Sequence, residues 1–524
     1  MSVVDVLVVG SGPVGMELAL ELAIQGVAFR IVDKAATRPT TSRAIGIHSR
    51  TLEVLNRYGG IDELLAKSHK VAGNAFWVNR KHFEGFRFVG KAQERPDTHF
   101  PGIFAIRQVD IEAFFESRLA SKGVIVERPV TVQSVVQDED GASVVLVKSD
   151  GSEETVRSKY VVGCDGAHSM VRHSMDVEFQ GGAYPQHFVV GEVLINWDGY
   201  GDKVHIMLGD GLLLLLPLSQ DKIRIVLSRP AELSSDVDPT LEDFQKALDK
   251  MLPAEENAKI HHAIGLTRFH LHYRCSTKYR DGKLFVAGDA AHIHSPIGAQ
   301  GMNTGIQDSM NLGWKLARVL NGEMPDSFLD TYHEERWPIG QTLLSQTDQM
   351  FTLLSSNTPI FNNIRNFLLP HALPSIGLSD MGLKMMDFFS ELGVKYRRSS
   401  IVQTDAGFDG PVRGGFRAPD GKIRTADGKK SWLQDLLRGP GCHVLIFSNI
   451  AGDKEVEALE RRFLTNKGKP NVAKAHIITS VELQNPRSVI DVDGELHKRY
   501  GFDGKPGFVY IRPDGYIERI GYLH

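Results

Sequence analysis

The chain has 524 residues, of which 42% are hydrophobic and 24% charged, with 60 Lys and Arg against 64 Asp and Glu. That length implies two to four domains, and a formal net charge of -4 lacks the basic excess of a nucleic-acid binder. Cys164, Cys275 and Cys442 lie too far apart for a zinc pattern, a redox pair or a disulfide framework. No apolar run reaches membrane-spanning length, so a soluble, intracellular protein without stable membrane insertion is expected.

The first element, Val3 to Val9, reads VVDVLVV and suits a buried parallel strand. It begins too early for a signal peptide. Gly10, Gly12 and Gly15 follow, then a helical pattern from Glu17 to Gly26 and a second strand, Ala28 to Val32, ending at Asp33. This is the context of a dinucleotide fingerprint. Gly10 permits the tight turn, Gly12 lets backbone approach a pyrophosphate, and Gly15 allows close helix packing. The helix N-terminus offers amide donors to phosphate, and Asp33 is placed to accept hydrogen bonds from an adenosine ribose. FAD and NAD both use this fold, so the choice stays open here.

RAIGIHSRTLEVLNRYG, Arg43 to Gly59, carries a short amphipathic helix over Thr51 to Tyr58. Arg43 and Arg50 near its start are candidate phosphate or ribose partners. Residues 71–105 and 176–275 change character. Alternating strands at Val189 to Ile195, Val204 to Leu208, Gly211 to Leu218 and Lys222 to Leu227 read as an inserted, mainly antiparallel β layer. Between the two insertions, Ser158 to Asp165 is a strand ending in an aspartate and a tight turn, Asp165-Gly166. Lys283 to Ala287 is another short strand, leading to Gly288-Asp289, a loop with Pro296, Gly298, Gly301 and Gly305, and a helix over Ile306 to Leu320. A polar glycine-bearing loop feeding a helix N-terminus can stabilise partial negative charge. His262, His270, His272, His292 and His294 lack an HExxH or compact carboxylate set, so no metal is expected.

Residues 346–400 read as a helical segment, and 401–524 as a separate α/β unit ending in FVYIRPDGYIERIGY. The Gly/Pro-rich stretch 407–421 suits a linker.

The three elements GxGxxG, DGAxSxVR and GDAAHxxxPxxxQGxNxGxxDxxNLxWKL closely resemble those of the FAD-dependent aromatic hydroxylases, the single-component flavoprotein monooxygenases of the phenol and para-hydroxybenzoate hydroxylase type. The resemblance is strong over about residues 3–345 and looser beyond. It implies an α/β fold: a discontinuous Rossmann-like FAD-binding domain (1–70, 106–175 and 276–345), a substrate layer (71–105 and 176–275) and a C-terminal thioredoxin-like domain without CxxC. Gly10, Gly12, Pro13, Val14 and Gly15 would cradle the FAD diphosphate, with Asp33 and Lys34 at the adenosine ribose. Arg43 would approach the phosphates and Gln108 the flavin side of the cofactor; Asp165 would serve both FAD and NAD(P)H. Asp289 would hold the ribityl chain or pyrophosphate. Pro296 and Gly298 would lie by the flavin ring, and Gly301, Met302 and Asn303 at its pyrimidine end.

The resemblance further implies NADPH or NADH as co-substrate, O2, a small aromatic substrate, a C4a-hydroperoxyflavin oxidant and a homodimer. Related phenol hydroxylases carry an aspartate where this chain has Ile45; His48 is the substitute base considered. Trp77, Tyr184, Met207, Leu216, Pro217, Phe269 and His270 are the candidate substrate-lining residues. Without an evident carboxylate clamp, a phenol, polycyclic or polyketide-derived, is favoured for hydroxylation. Baeyer–Villiger or oxidative rearrangement chemistry on the same fold is the alternative.

Overall fold

The computed structural model describes residues 2–40, 42, 44–88, 95–209, 211–229, 239–295, 297–355, 380–448, 458–459, 461–463, 472–480 and 488–523. Val6, Leu7 and Val8 are fully buried because the strand Ser2–Val9 has a neighbour on each side. It pairs in parallel with Phe29–Val32 and with Glu153–Gly163, which pairs in parallel with Leu284–Val286. The register sets Val9 against Val32 and Gly163, and Gly163 against Val286. Loops beginning at Gly10, Cys164 and Ala287 therefore leave the sheet at one level. That level is the carboxyl end of the strands, where doubly wound sheets bind ligands.

The helix α1 (Pro13–Ile24) starts on the favoured residue, with proline in its first turn and Gly12 as N-cap. The short helix α2 (Ser49–Asn56) begins two residues before the predicted one. The strand Ile103–Ala105 joins Gly46–His48 and His69–Val71 in a small sheet, and the helix α3 (Gln108–Ser121) follows it.

The inserted layer is one sheet of eight described strands. Its pairings are antiparallel except one: Lys203–Gly209 runs parallel to Gly73–Val78. The two sequence insertions meet at that seam. Its outer face is covered by α4 (Leu241–Met251), and its last strand is His292–Ile293, from the loop after Gly288. The loop and the layer are thus hydrogen-bonded parts of one structure.

The helix α5 (Gly301–Leu320) begins five residues earlier than the apolar pattern predicted. Helix propensity disfavours Gly301 and Gly305, but tertiary packing requires a small residue. A Cβ on Gly305 would lie 2.7 Å from Val14 Cγ2 and 3.1 Å from Gly288 Cα. The helix is buried all round, including Asp308, Asn311 and Lys315. The helix α6 (Asp330–Ser355), with Pro338 inside it, supplies their partners. Arg336 Nε donates to Asp308 at 2.7 Å, and Lys315 Nζ donates to Glu335 at 2.8 Å.

The C-terminal sheet has the central order Val472–Thr479, Cys442–Phe447, Gly507–Ile511, Ile517–Tyr522. The first two are parallel and the last two form an antiparallel hairpin, the arrangement expected of a thioredoxin-like unit. Its Arg512-Pro513-Asp514-Gly515 turn is buried against α2, α5 and α6. Arg512 donates to both Glu335 oxygens (2.6 and 2.9 Å), Arg57 Nη1 to the Pro513 carbonyl (2.8 Å) and Asn311 to Asp514 (3.2 Å). Arg50 pairs with Glu53 and donates to the Asp514 carbonyl, so it is neither a surface ion pair nor a phosphate ligand.

Burial pushes the Glu335 carboxyl up, but Arg512 and then Lys315 outweigh it and hold it well below its ordinary range. Glu335→Ala leaves Lys315 buried without its anion and Arg512 with Asp514 alone. It should cost about 3–5 kcal/mol, read as a lower chemical-denaturation midpoint; an unchanged midpoint would reject the role assigned to the pair.

Candidate functional site

The three glycines of the first loop take three distinct environments. Gly10 has φ +98°, and a Cβ there would meet the Cys164 carbonyl oxygen at 2.4 Å. On Gly15 it would sit 1.9 Å from the Gly10 oxygen, whereas on Gly12 it would meet nothing within 4 Å. Gly10 and Gly15 are closed by packing, and Gly12 opens outward beside the α1 N-terminus, which has no side-chain cap. A pyrophosphate fits that surface of free amides. Asp33 accepts from the Ser11 amide and hydroxyl, both at 2.7 Å, and from the Ala35 amide at 2.8 Å. Arg128 donates to the same Ser11 hydroxyl at 2.6 Å, a contact the sequence pattern missed. Lys34 is exposed beside it.

Gln108 ties the Ala44 segment to the start of α3. Its side-chain oxygen accepts from the Ala44 amide (3.2 Å), its own amide donates to the Ala44 carbonyl (3.1 Å), and its side-chain nitrogen donates to Glu112 (2.7 Å). It pins the loop on one flank of residue 43. On the other flank, Arg224 donates to the Ser42 carbonyl at 2.6 Å. Arg43 itself, like Pro296, lies outside the described residues.

Asp165 accepts from the Met170 amide at 2.7 Å, capping the short helix after the second motif. Its other oxygen is buried without a hydrogen bond. Burial raises its carboxyl pKa against Ser169 and the Met170 and Val171 amides. Asp289 is exposed at the end of Leu284–Val286. Its neighbour Gly288 takes φ +60° and donates its amide to Asp308 at 3.1 Å. His292 Nε2 meets the same Asp308 oxygen at 2.8 Å. Burial pushes Asp308 up, but Arg336 and then His292 hold it below its ordinary value.

The far end of the loop is held by Asn303 and His48. Asn303 donates to the Gly46 and Ala299 carbonyls (2.9 and 2.8 Å) and accepts from the His48 amide (2.9 Å). Its side chain is therefore committed to the loop. Met302 is half-buried against the main core, and Gly301 opens α5 without a side-chain cap. Gly298 has φ +82°, and its carbonyl lies 2.7 Å from His48 Nε2. Burial lowers His48 to about 4 against that bond, so near neutrality the ring is uncharged and Nε2–H donates to Gly298. His48 is a clamp on the Gly298 carbonyl, 1% exposed, and is poorly placed as the substrate's base.

Period-two alternation sorts the substrate layer. Trp77 and Met207 join Leu213, Leu215 and Ile225 in the outer core with Phe244 of α4. Trp77 also donates to His205 at 3.1 Å. Pro217, opposite Ile223, has the same outward parity. His270 is exposed, its ring 4.5 Å from that of His187. These four predicted lining residues therefore do not share the face that Tyr184, Leu216 and Phe269 do. The inner cluster contains those three with Phe188, Leu214 and Phe351 of α6. Tyr184 donates to Asp348 at 2.7 Å, and Ser295 of the Gly288 loop donates to the Thr347 carbonyl at 3.4 Å. One stretch of α6 thus touches both the inner face and the loop. Phe76 belongs to an adjoining apolar cluster with Phe86, Phe88 and Met385.

Among the described residues no group of three or more His, Cys, Asp or Glu is arranged to hold a metal, and no helix is long and apolar enough to cross a membrane.

Comparison with known proteins agrees with this geometry. A family model described as an FAD binding domain matches residues 3–347. The chain is 31% identical to a 6-methylpretetramide 4-monooxygenase of Streptomyces rimosus, over 99% of this chain and 90% of that protein. It is 30% identical to an uncharacterized aromatic compound monooxygenase, YhjG, of Bacillus subtilis, over 89% and 90%. The flavin-dependent monooxygenase PieE, solved with FAD and substrate, shares the fold at TM-score 0.83 and 20% identity, covering 99% of this chain and 96% of that one.

Two outcomes test the site. Gly15→Ala should purify with little FAD per chain by flavin absorbance, and wild-type occupancy would contradict the loop packing. His48, His205 and His294 are each lowered to about 4, chiefly by burial, from 6.5. The unfolded chain binds protons between those values that the folded chain does not. The stability they contribute is present above pH 6.5 and lost as pH falls through about 4. The melting temperature should fall over that window, and His48→Asn should flatten the slope. An identical slope in the variant would remove His48 from the account.

Proposed function

Because this chain belongs to the family of FAD-dependent aromatic monooxygenases, we propose that it hydroxylates a phenolic, polycyclic substrate at the expense of NADPH or NADH and O2. Bound FAD, reduced by the nicotinamide, supplies the oxygen-activating chemistry. The observation that carries the reading is the meeting of two surfaces on α6: the loop from Gly288 to Gly301 and the apolar inner face of the substrate layer.

The chain's own residues divide the work. Amides at Gly12 and the α1 N-terminus bind phosphate, and Asp33 takes the ribose once its grip on Ser11 is shared. Asp289, at its strand end, holds the polar chain of the cofactor. The uncapped N-terminus of α5 at Gly301 faces negative charge with backbone donors. His48 and Asn303 hold the loop in shape from behind. Leu214, Leu216 and Phe269 exclude water and offer a flat apolar wall to a ring system.

The substrate's polarity follows from the inner face. Arg224 is buried there and bonded to Glu192 at 2.9 Å and to the Ser42 carbonyl. Committed in this way, it is a poor clamp for a substrate carboxylate. A neutral phenol suits that face better than a benzoate, in line with the Streptomyces relative named a 6-methylpretetramide 4-monooxygenase.

The test is aerobic NAD(P)H oxidation with FAD-loaded protein against a panel of simple phenols, benzoates and polycyclic phenols. The expected result is oxidation stimulated most by the polycyclic members, with a product heavier by one oxygen and its rings intact. Ring expansion would replace hydroxylation by insertion. Stimulation by none of the panel would remove the proposal.

A further inference from the structure

The helix α7 (Asp380–Ser390) ends against the Gly298 loop and the first turns of α5. A Cβ on Gly298 would lie 2.9 Å from Phe389 Cε1, and Gln300 Nε2 donates to the Phe388 carbonyl at 2.8 Å. Just beyond, Glu391 is 5% exposed and takes φ +57°, a left-handed conformation that a non-glycine residue adopts at a cost. Its carboxylate accepts from Thr304 Oγ1 at 2.8 Å and from Gln307 Nε2, both on the first two turns of α5.

Unlike Asp308 and Glu335, Glu391 has no ion pair among the described residues. The cation that acts on it, Arg336 of α6, is spent on Asp308, the Tyr396 hydroxyl and the Thr304 carbonyl. Asp308, which repels it, is itself held by Arg336 and His292. Burial therefore dominates and pushes the Glu391 carboxyl up to about 7, against Thr304, Arg336 and Gln307. Gln307 is able to serve either charge state. Its Nε2 meets the carboxylate, while its Oε1 is buried without a hydrogen bond. Turned over, the same amide accepts from a carboxylic acid.

In the proposed function, FAD turns the end that gains negative charge on reduction toward the N-terminus of α5. We propose that Glu391 couples a proton to that charge: as two electrons and one proton enter the flavin, the Glu391 carboxylate takes one further proton from solvent, and returns it on reoxidation. A like charge nearby raises a carboxyl pKa. The uptake therefore falls just above pH 7, where the oxidised protein holds Glu391 ionised. Across that range Arg336 stays cationic, Asp308 ionised and Tyr396 protonated. The coupling is reciprocal, so an ionised Glu391 lowers the flavin's potential. Glu391 is a positioning residue, acting through α5.

The inference rests on FAD at that helix end and on no particular substrate, so failure of the phenol panel leaves it standing. The test is the midpoint potential of the full-length, FAD-loaded protein against pH, titrated with dithionite, beside Glu391→Gln. The two proteins should share one potential well below pH 7. Above it the wild type should fall more steeply by about 30 mV per pH unit, one proton per two electrons. Parallel lines throughout, or the steeper slope kept in the variant, overturn the proposal. A second arm needs only the wild type. At about pH 8, the infrared difference spectrum on reduction should gain a protonated-carboxyl band, and its absence overturns the proposal even if the variant is unstable.

Discussion

The structure depends on the helix Gly301–Leu320 being buried on every side while carrying Asp308, Asn311 and Lys315. Ionised groups in such a place require partners with good geometry. The partners come from three other parts of the chain: the Gly288 loop, the helix Asp330–Ser355 and the C-terminal unit. Arg336, His292 and the Gly288 amide converge on Asp308. Glu335 meets Lys315, Arg512 and the Ser399 hydroxyl. Satisfying one helix therefore docks the Gly288 loop, the long helix Asp330–Ser355 and the C-terminal unit around it.

That requirement explains why a thioredoxin-like unit without a redox pair is bound so firmly. Cys442 is buried, and burial raises its thiol far above the ordinary value, so thiol chemistry is disfavoured. The unit instead contributes Arg512 and the Asp514 carbonyl to the nucleotide-binding half. It also grips the end of the substrate layer. Arg417 bonds Glu53 and the Asp97 carboxylate and carbonyl, and His99 stacks on Trp432 with ring centroids 4.8 Å apart. The substrate layer is thus held at two ends, by the Gly288 loop and by the C-terminal unit.

Much of the nucleotide site was legible in the sequence. The glycine loops fall at strand ends that the register brings to one level, and alternation marked the layer as a half-covered antiparallel sheet. The side-chain assignments fared less evenly. Trp77 and Met207 are as apolar as Leu216 and Phe269, so residue type announced burial but not which face. Arg50 read as a phosphate partner because its sequence neighbourhood is a nucleotide site, yet its partner is 464 residues away. His48 was chosen for its unperturbed pKa, and burial removes that premise.

The sequence by itself determined the order of strands and turns and the conformational freedom at Gly10 and Gly298. These are local properties: a hydrophobic period, or a positive φ that only a small residue adopts cheaply. Only the tertiary structure decided which face of the inserted sheet turns inward, which histidine is neutral and which carboxylate answers which arginine. Those outcomes depend on desolvation and on partners far away in the chain, as with Glu335 and Arg512, 177 residues apart. A buried charge is affordable only after its partner has arrived, and no local pattern records that arrival.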